Sequence, residues 1–465
     1  MPTREQLALE MAYTSPADGG LRDAAASENK TLPIHRWVPW IAGFSSQFVQ
    51  DVISAYLPTS TRKRHLILDP FAGVGTTLVE AIKAGHDSLG YEINPFAALA
   101  ARAKIDCIEV HPGDLRAEVD AFRYSMQRFE SEIDHQWSDD PKGDILTSYP
   151  ELSELRPGSF RSRIPFFSAP VEAKFLYALA RTRALLEPDK ALFRSALGAT
   201  MVSFSNYSYE PSLASRPGSG KSLIDNASVA SAVCRKLEEM ITDIEWARQT
   251  YGYTWLSTQR RMIHGSYFDS ELPAASVSLV VTSPPYMNNY HYVRNTRPQL
   301  YWLGFISNGG SRHLEEESFG KFWQTVRQGP DLRREFDLPE LGPVLDRLSE
   351  RHPEKGAYGG QGWVNYIVTY LNDANRLVVN LKKQLRRGGV AVVVVGNSII
   401  QGTEFKVDQL LAQLAQGRGL KAEAIHIVRT KRTGNSIIDS SVRNGDSNGH
   451  RDKTQLYDAA VILRR

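Results

Sequence analysis

Ser283-Pro284-Pro285-Tyr286 stands directly behind the apolar, β-branched run that ends at Thr282. Two consecutive prolines donate no backbone hydrogen bond and hold φ, so a strand delivering them ends there. Their carbonyl oxygens are left pointing into open space beside a hydroxyl and a flat aromatic ring. Such a set suits a planar group held by its exocyclic amine. In isolation the tetrad would equally be an ordinary strand-terminating turn.

A second set lies two hundred residues earlier. Asp69-Pro70-Phe71-Ala72-Gly73-Val74-Gly75-Thr76-Thr77 places two glycines at the start of a predicted helix. Glycines there let a ligand approach the backbone, and a helix N-terminus offers N–H groups without partners. Glu92 follows Gly73 by 19 positions, at the end of the next predicted strand. A carboxylate so placed accepts hydrogen bonds from a ribose diol, as in dinucleotide folds. A Gly-x-Gly loop alone is more often a tight turn. Asp69, Gly73, Gly75 and Glu92 together point to an adenosine-type ligand, with NAD still open.

The elements that must position these residues are legible around them. Leu66–Asp69 reads as a short buried strand, Thr76 to about Ala84 as a helix, Ser88–Glu92 as a strand and Pro95 to about Lys104 as a helix. Strand and helix alternate as in a parallel α/β unit. From Leu115 the apolar positions Val119, Phe122, Met126, Phe129 and Ile133 follow at helical spacing. Further helices are predicted at about 170–186, 191–205 and 225–249, the last behind the Gly/Pro/Ser-rich stretch Pro211–Ser222. Residues 109–255 thus read as a mostly helical insertion. The α/β pattern resumes near Arg261, with helix Trp363–Leu385, a Gly388-Gly389 turn, strand Val390–Val395, helix Val407–Leu414, and strands near Ala422–Val428 and Leu456–Leu463.

Composition bounds the reading. At 465 residues and 42% apolar content the chain can bury a large core in two or three domains, or in one domain with large insertions. A net charge of +3 neither demands nor excludes a nucleic-acid partner. Two distant cysteines, Cys107 and Cys234, make a disulfide framework implausible, and no Cys/His cluster suggests a metal site. The polar, Ala-rich N-terminus lacks the pattern of a signal peptide, and no run of 18 apolar residues occurs. A soluble intracellular protein is the expectation.

Read together, the glycine segment and Thr282-Ser283-Pro284-Pro285-Tyr286 resemble the amino-methyltransferases of DNA, especially the N4-cytosine branch. Gly90-Tyr91-Glu92-Ile93-Asn94-Pro95, Val395-Gly396-Asn397-Ser398 and Ala42-Gly43-Phe44-Ser45 extend the resemblance over about 35–105 and 260–465. It implies an α/β, Rossmann-like methyltransferase sheet, mostly parallel with an antiparallel C-terminal strand, plus the helical insertion. The implied catalytic domain comprises 35–108 and 256–465, behind an N-terminal extension of 34 residues. The implied cofactor is S-adenosyl-L-methionine, bound by Phe44, Asp69, Phe71, Gly73, Gly75, Thr76, Thr77, Glu92, Asn94 and Ser266, and the implied catalytic residues are Ser283, Pro284, Pro285 and Tyr286. The chain departs from many members in having Gly265-Ser266 where they carry Gly-Asp, so an acidic contact to the adenine amine is missing there; Asp269 lies nearby.

In that reading, Ser283 Oγ and the Pro284 carbonyl hold both hydrogens of a base amine and turn its lone pair out of the ring plane. The base must leave the duplex, at about a few kcal/mol, and stacking on Tyr286 returns about 1–3 kcal/mol. The implied partner is DNA; a cognate restriction endonuclease is compatible with the family, and no membrane is involved. Adenine N6, an RNA amine and a catalytically silent DNA-binding subunit remain open as alternatives to cytosine N4.

Three segments compete to read the DNA. The insertion holds Arg156, Arg161, Arg163 and the pair Phe166-Phe167. After the tetrad come Asn289, Tyr290, Arg294 and Arg297, which suit base-edge and phosphate contacts and should lie beside the flipped base. Near the C-terminus Lys431 and Arg432 belong to a segment, 429–465, with eight Lys/Arg against four Asp. Each cluster alone would equally be solvated surface. Gly218-Ser219-Gly220-Lys221-Ser222 imitates a phosphate-binding P-loop, but Ser215 occupies its first glycine position and no apolar strand precedes it. His264 reads as a packed or capping histidine.

Overall fold

The structure, a computed structural model, describes residues 11–14, 21–40, 43–58, 63–141, 143–158, 160, 162–209, 213–287, 292–307, 310–329, 332–431, 437–438 and 456–465. Ala42, Arg161, Asn289, Tyr290 and Arg432 lie outside these residues, as does the side chain of Lys431.

Among the described residues the strands are β1 (Tyr13–Thr14), β2 (Leu66–Asp69), β3 (Asp87–Glu92), β4 (Tyr207–Tyr209), β5 (Leu213–Ser215), β6 (Arg260–His264), β7 (Val277–Thr282), β8 (Leu385–Gly396), β9 (Ser398–Ile400), β10 (Thr403–Phe405), β11 (Lys421–Lys431), β12 (Ile437–Ile438) and β13 (Leu456–Arg464). Eight of them form one sheet in the order β1-β11-β13-β8-β7-β2-β3-β6. The run β8-β7-β2-β3-β6 is parallel, and β13 lies antiparallel to both β8 and β11. The fold is therefore α/β with an antiparallel C-terminal strand, as expected.

Both faces of the sheet are covered, which explains why its central strands are continuously apolar rather than alternating. Successive side chains still point to opposite faces. Leu68, Val280, Ala391 and Val393 join one core with helices Gly360–Gln384 and Val407–Gly417. Ile67, Leu279, Val281 and Val392 join another with helix Ser46–Tyr56.

Segment 109–255 contributes helices Pro112–Asp139, Ala169–Arg183, Asp189–Thr200 and Val229–Leu256. The predicted stripe from Leu115 to Ile133 is buried throughout. It shares one apolar core with Leu78, Val79 and Ile82 of helix Thr76–Lys83 and with Phe96 and Ala100 of helix Pro95–Asp106.

Four features differ from the sequence reading. Gly388-Gly389 is not a turn between elements but lies inside β8, where Gly388 takes φ 75° and the register with β7 shifts between Val277 and Leu279. The Gly/Pro/Ser-rich stretch before helix Val229–Leu256 carries a strand, β5, that pairs with β4 in a hairpin. Tyr13 and Thr14 of the N-terminal extension pair with Ile425 and His426 at the sheet edge. Between 297 and 358, where no element was predicted, short helices form at Arg297–Trp302, Gly310–Glu317, Trp323–Val326 and Leu341–Ser349. Short amphipathic helices interrupted by turns leave too few periods for a sequence pattern. Among the described residues no helix is long and apolar enough to cross a membrane.

Candidate active site

The sheet reverses its direction of progression between β2 and β7. In open α/β sheets the crevice at such a point, outside the carboxyl ends of the strands, is where ligands bind. Here the two strand ends are tied together, because Thr282 Oγ1 donates to Asp69 Oδ1 at 2.7 Å. The Phe71 N–H donates to the same oxygen at 3.1 Å, which fixes the loop leaving β2. Asp69 is 2% exposed, and burial pushes its carboxyl up to about 6 against these hydrogen bonds.

One strand further along, Glu92 closes the other wall. Its Oε2 accepts from Gly73 N at 2.9 Å and its Oε1 from Asn94 N at 2.8 Å. The glycine loop and the end of β3 are thus joined through one carboxylate. Burial pushes Glu92 up to about 7, opposed by the Asn94 and Gly73 N–H groups. Asn94 caps helix Pro95–Asp106 through Oδ1, accepting from Phe96 N and Ala97 N. Its Nδ2 donates to Thr296 Oγ1 at 2.8 Å, tying this wall to the chain that follows the tetrad.

These walls bound a cleft of about 1000 Å³, part of it open to solvent. Of the proposed cofactor residues, Phe44, Asp69, Phe71, Gly73, Thr76, Glu92, Asn94 and Ser266 line it, and so do Ser283 and Pro285 of the tetrad. The two distant bends therefore converge on one space. Gly75, Thr77, Pro284 and Tyr286 are not among the lining residues. Gly75 sits at φ 84°, where an added Cβ would lie 2.9 Å from the Ala101 Cβ, so its smallness serves packing of two helices. Thr77 is buried and donates to Val281 O at 3.2 Å. Pro284 faces a small apolar void with Phe319 and Tyr370. The Tyr286 ring packs so closely on Gly396 that a Cβ there would come within 3.0 Å, and its hydroxyl is hydrogen-bonded with Ser283.

Trp40, Phe268, Phe319 and Glu317 carried no signal in the sequence, whereas Tyr292 belongs to the aromatic stretch after the tetrad, expected beside the flipped base. Trp40 and Tyr292 both line the cleft, their rings nearly parallel (15°) with centroids 6.0 Å apart. Phe268 and Phe319 form an aromatic wall with Phe71, whose ring meets Phe319 edge-on at 5.2 Å. Glu317, at the end of helix Gly310–Glu317, supplies a carboxylate to the cleft and pairs with His313 at 3.1 Å. Asp269 does not line it and is 79% exposed, while Ser266 Oγ caps a single turn by accepting from Phe268 N at 3.2 Å. Trp40, Phe319 and Glu317 come from segments with no motif, so only the tertiary fold brings them in.

The proposed DNA-reading residues are dispersed. Arg294 is exposed at the end of the turn Tyr292–Asn295, beside the cleft. Arg297 instead lies half-buried, with its guanidinium 5.5 Å from both the Phe160 and Tyr301 ring centres. In the insertion, Arg156 pairs with Glu172 at 2.5 Å, and Phe166 and Phe167 are core residues packed around Trp302. Arg163 is exposed. His264 is exposed as well, with Nε2 3.2 Å from Ile93 O.

Comparison with known proteins agrees with this geometry. The sequence profile of a family described as DNA methylase, of the N6/N4 type, matches residues 25–102. The Type II methyltransferase M.BsoBI of Geobacillus stearothermophilus is 23% identical over 442 residues, covering 88% of this chain and 82% of that protein. The Type II methyltransferase M.AvaI of Nostoc sp. is 24% identical over 434 residues, covering 88% and 83%. A shorter match, 28% over 88 residues, joins 19% of this chain to 16% of the Type II methyltransferase M.MjaII of Methanocaldococcus jannaschii.

Proposed function

The chain belongs to the N6-adenine/N4-cytosine family of DNA methyltransferases, and from that premise we propose that it is a Type II enzyme methylating the N4 amine of a cytosine rotated out of the duplex. The observation that carries this reading is the convergence of Gly73, Glu92 and Ser283 on one cleft at the switch point of the sheet. Serine as the first residue of the tetrad favours cytosine over adenine by resemblance to the N4 branch.

The cleft suits S-adenosyl-L-methionine. A carboxylate at Glu92, steadied by two backbone N–H groups, accepts from a ribose diol. The Phe71, Phe268 and Phe319 rings offer an apolar slot for a purine. When bound, this cofactor supplies a methyl group on a sulfonium centre.

The chain's own residues then act on the base. Its amine is a poor nucleophile because the lone pair is delocalised into the ring. Ser283 Oγ and the Pro284 carbonyl accept its two hydrogens and hold the lone pair out of plane, and most of the acceleration comes from this positioning. The Tyr286 hydroxyl, bonded to Ser283, fixes the serine rotamer. Serine is too weak a base to deprotonate the amine first, so the proton leaves only after the attacking nitrogen has become cationic. Stacking of the extruded base falls to Tyr292 and Trp40, which face the cleft, rather than to Tyr286. Residues 35–108 and 256–465 act as the catalytic domain, and 109–255 with the segment after the tetrad read the site.

Digesting DNA treated with the purified protein and S-adenosylmethionine to nucleosides, followed by mass spectrometry, tests this directly. N4-methylcytosine is the expected product. N6-methyladenine would move the target to adenine, and absence of any methylated base would leave a silent DNA-binding subunit.

A further inference from the structure

Ile34 takes φ 69° and ψ −46°, a combination that a β-branched residue rarely adopts. His35 N donates to Pro33 O at 2.8 Å across it, so the backbone makes a γ-turn of the rare, strained form. Such a conformation persists only where its surroundings over-determine it, and it tends to mark functional sites. Here the surroundings centre on one carboxylate, Asp243 of helix Val229–Leu256, which is 1% exposed. We infer that Asp243 is a positioning residue for methyl transfer: from the helical insertion it holds the strained turn at Ile34 and thereby sets Trp40 in the cleft. The inference rests on the DNA methyltransferase reading above.

Four hydrogen bonds converge on the two oxygens. Asp243 Oδ2 accepts from Ile34 N at 2.8 Å, from Trp37 Nε1 at 2.8 Å and from Arg36 Nε at 3.1 Å. Its Oδ1 accepts from Arg36 Nη2 at 2.6 Å. Ile34 and Trp37 are wholly buried, so without this carboxylate two buried N–H groups would lose their acceptor. An amide in its place would turn an NH₂ group towards donors. The Arg36 guanidinium balances the buried charge.

His35, the residue of this turn that Asp243 does not hold, is fixed from the catalytic side. Its Nε2 lies 2.7 Å from Glu80 Oε1, and its carbonyl accepts from Lys104 Nζ at 3.3 Å. Glu80 belongs to the helix that begins behind the glycine loop, and Lys104 to the helix that Asn94 caps. The turn is therefore wedged between the insertion and the two helices that carry the cleft walls.

Three residues separate the clamped Trp37 from Trp40 in sequence number. Val38 is buried and extended (φ −123°, ψ 113°), and Pro39 fixes its own φ. Little freedom remains, so the place of Trp40 follows from the turn. Trp40 Nε1 would lie 3.4 Å from a Cβ added at Gly73, which puts the indole against the glycine loop. Its ring is nearly parallel to that of Tyr292 across the same cleft. Releasing the turn thus displaces one of the two rings on which the extruded base stacks.

A double-mutant cycle in the full-length protein tests this, read as kcat/KM for methylating DNA that the wild type modifies. Trp40→Ala alone is expected to lower kcat/KM about tenfold, the cost of a lost base–aromatic stack. Asp243→Asn, assayed at equal folded fraction by thermal melting, is expected to lower it about fivefold in the wild-type background but less than twofold beside Trp40→Ala. Arg36→Gln removes the partly exposed arm of the clamp with less risk to folding. It should cost about threefold alone and nothing further beside Trp40→Ala. Losses that simply multiply would make Asp243 a folding residue only and overturn the inference. Wild-type kcat/KM in Asp243→Asn or in Trp40→Ala would overturn it as well. A wild-type protein that makes no methylated base at all would instead refute the reading on which the inference stands.

Discussion

The cleft and the helical insertion are built from the same residue types and put them to opposite uses. In the cleft, Glu92 and Ser283 stand where strands end, and both line the space beyond those ends. In the insertion the equivalent groups are consumed by packing. Arg156 is paired with Glu172, Lys174 is 1% exposed with its ammonium on Asp134 and Asn226, and the aromatic pair Phe166-Phe167 fills the core. A residue's place relative to the end of the sheet therefore says more about its use than its chemical type does.

The sharpest way to break this contrast is Phe167→Ala. Phe167 is 2% exposed and touches Phe166, Phe175, Phe204 and Trp302, so the substitution opens a cavity between helix Ala169–Arg183 and helix Arg297–Trp302. Folding stability should fall by about 3–5 kcal/mol, read from denaturant midpoints. A variant that melts normally yet loses DNA binding would turn the pair back into a recognition element. On the cleft side, Ser283→Ala should lower kcat by about 100-fold or more while calorimetry finds unchanged affinity for S-adenosylmethionine. Undiminished turnover would show that the tetrad serine does not hold the reacting amine.

The contrast also explains what was legible in the sequence. Strand ends are marked by local chemistry: Asp69 before Pro70, the glycines behind it, Glu92 before Asn94-Pro95, and two prolines after Thr282. Each mark lies within a few residues of the element it terminates, so the ends of the central strands and half of the cleft could be anticipated. The other half comes from Trp40, Glu317 and Phe319. No local pattern distinguishes Trp40 from the buried Trp37 three residues before it. Glu317 and Phe319 reach the cleft only because Phe319 lodges against Phe71, Phe268 and Tyr370, contacts between segments far apart in the chain. Gly75 shows the converse: its place in the motif suggested ligand approach, whereas its closest neighbour is Ala101.

Within the cleft, the carboxylates of Asp69 and Glu92 can be told apart by pH. Glu92 lies near 7 by burial, and a diol donating to it favours the anion. Affinity for S-adenosylmethionine should therefore be full above about pH 7 and decline below it, approaching tenfold per unit. Glu92→Gln should bind more weakly and lose this dependence. Stability runs the other way. With Asp69 raised to about 6 and Glu92 to about 7, the native state binds protons more tightly than the unfolded chain, whose carboxyls titrate near 4. The native state then gains stability as pH falls from about 7 towards 4, and loses it as pH rises. A melting temperature and a cofactor affinity that fall together on acidification would contradict this account.

The smallest effect concerns the one described recognition candidate that is both exposed and beside the cleft. Arg294 follows Tyr292 and Val293, which line the cleft, yet is itself exposed. Arg297, one turn on, lies half-buried between Phe160 and Tyr301. If Arg294 meets a phosphate, Arg294→Ala removes one counterion-releasing contact, and the slope of log affinity against log salt should flatten by about 1. Between 50 and 200 mM salt that amounts to roughly a threefold to fourfold smaller loss of affinity. Arg297→Ala should leave the slope alone and lower stability instead, because its packing against two rings is what is lost. Equal slopes for Arg294→Ala and the wild type would move phosphate contact away from this edge of the cleft. Residues beside a site would then need the same distinction as residues within it, between groups that face outward and groups already engaged.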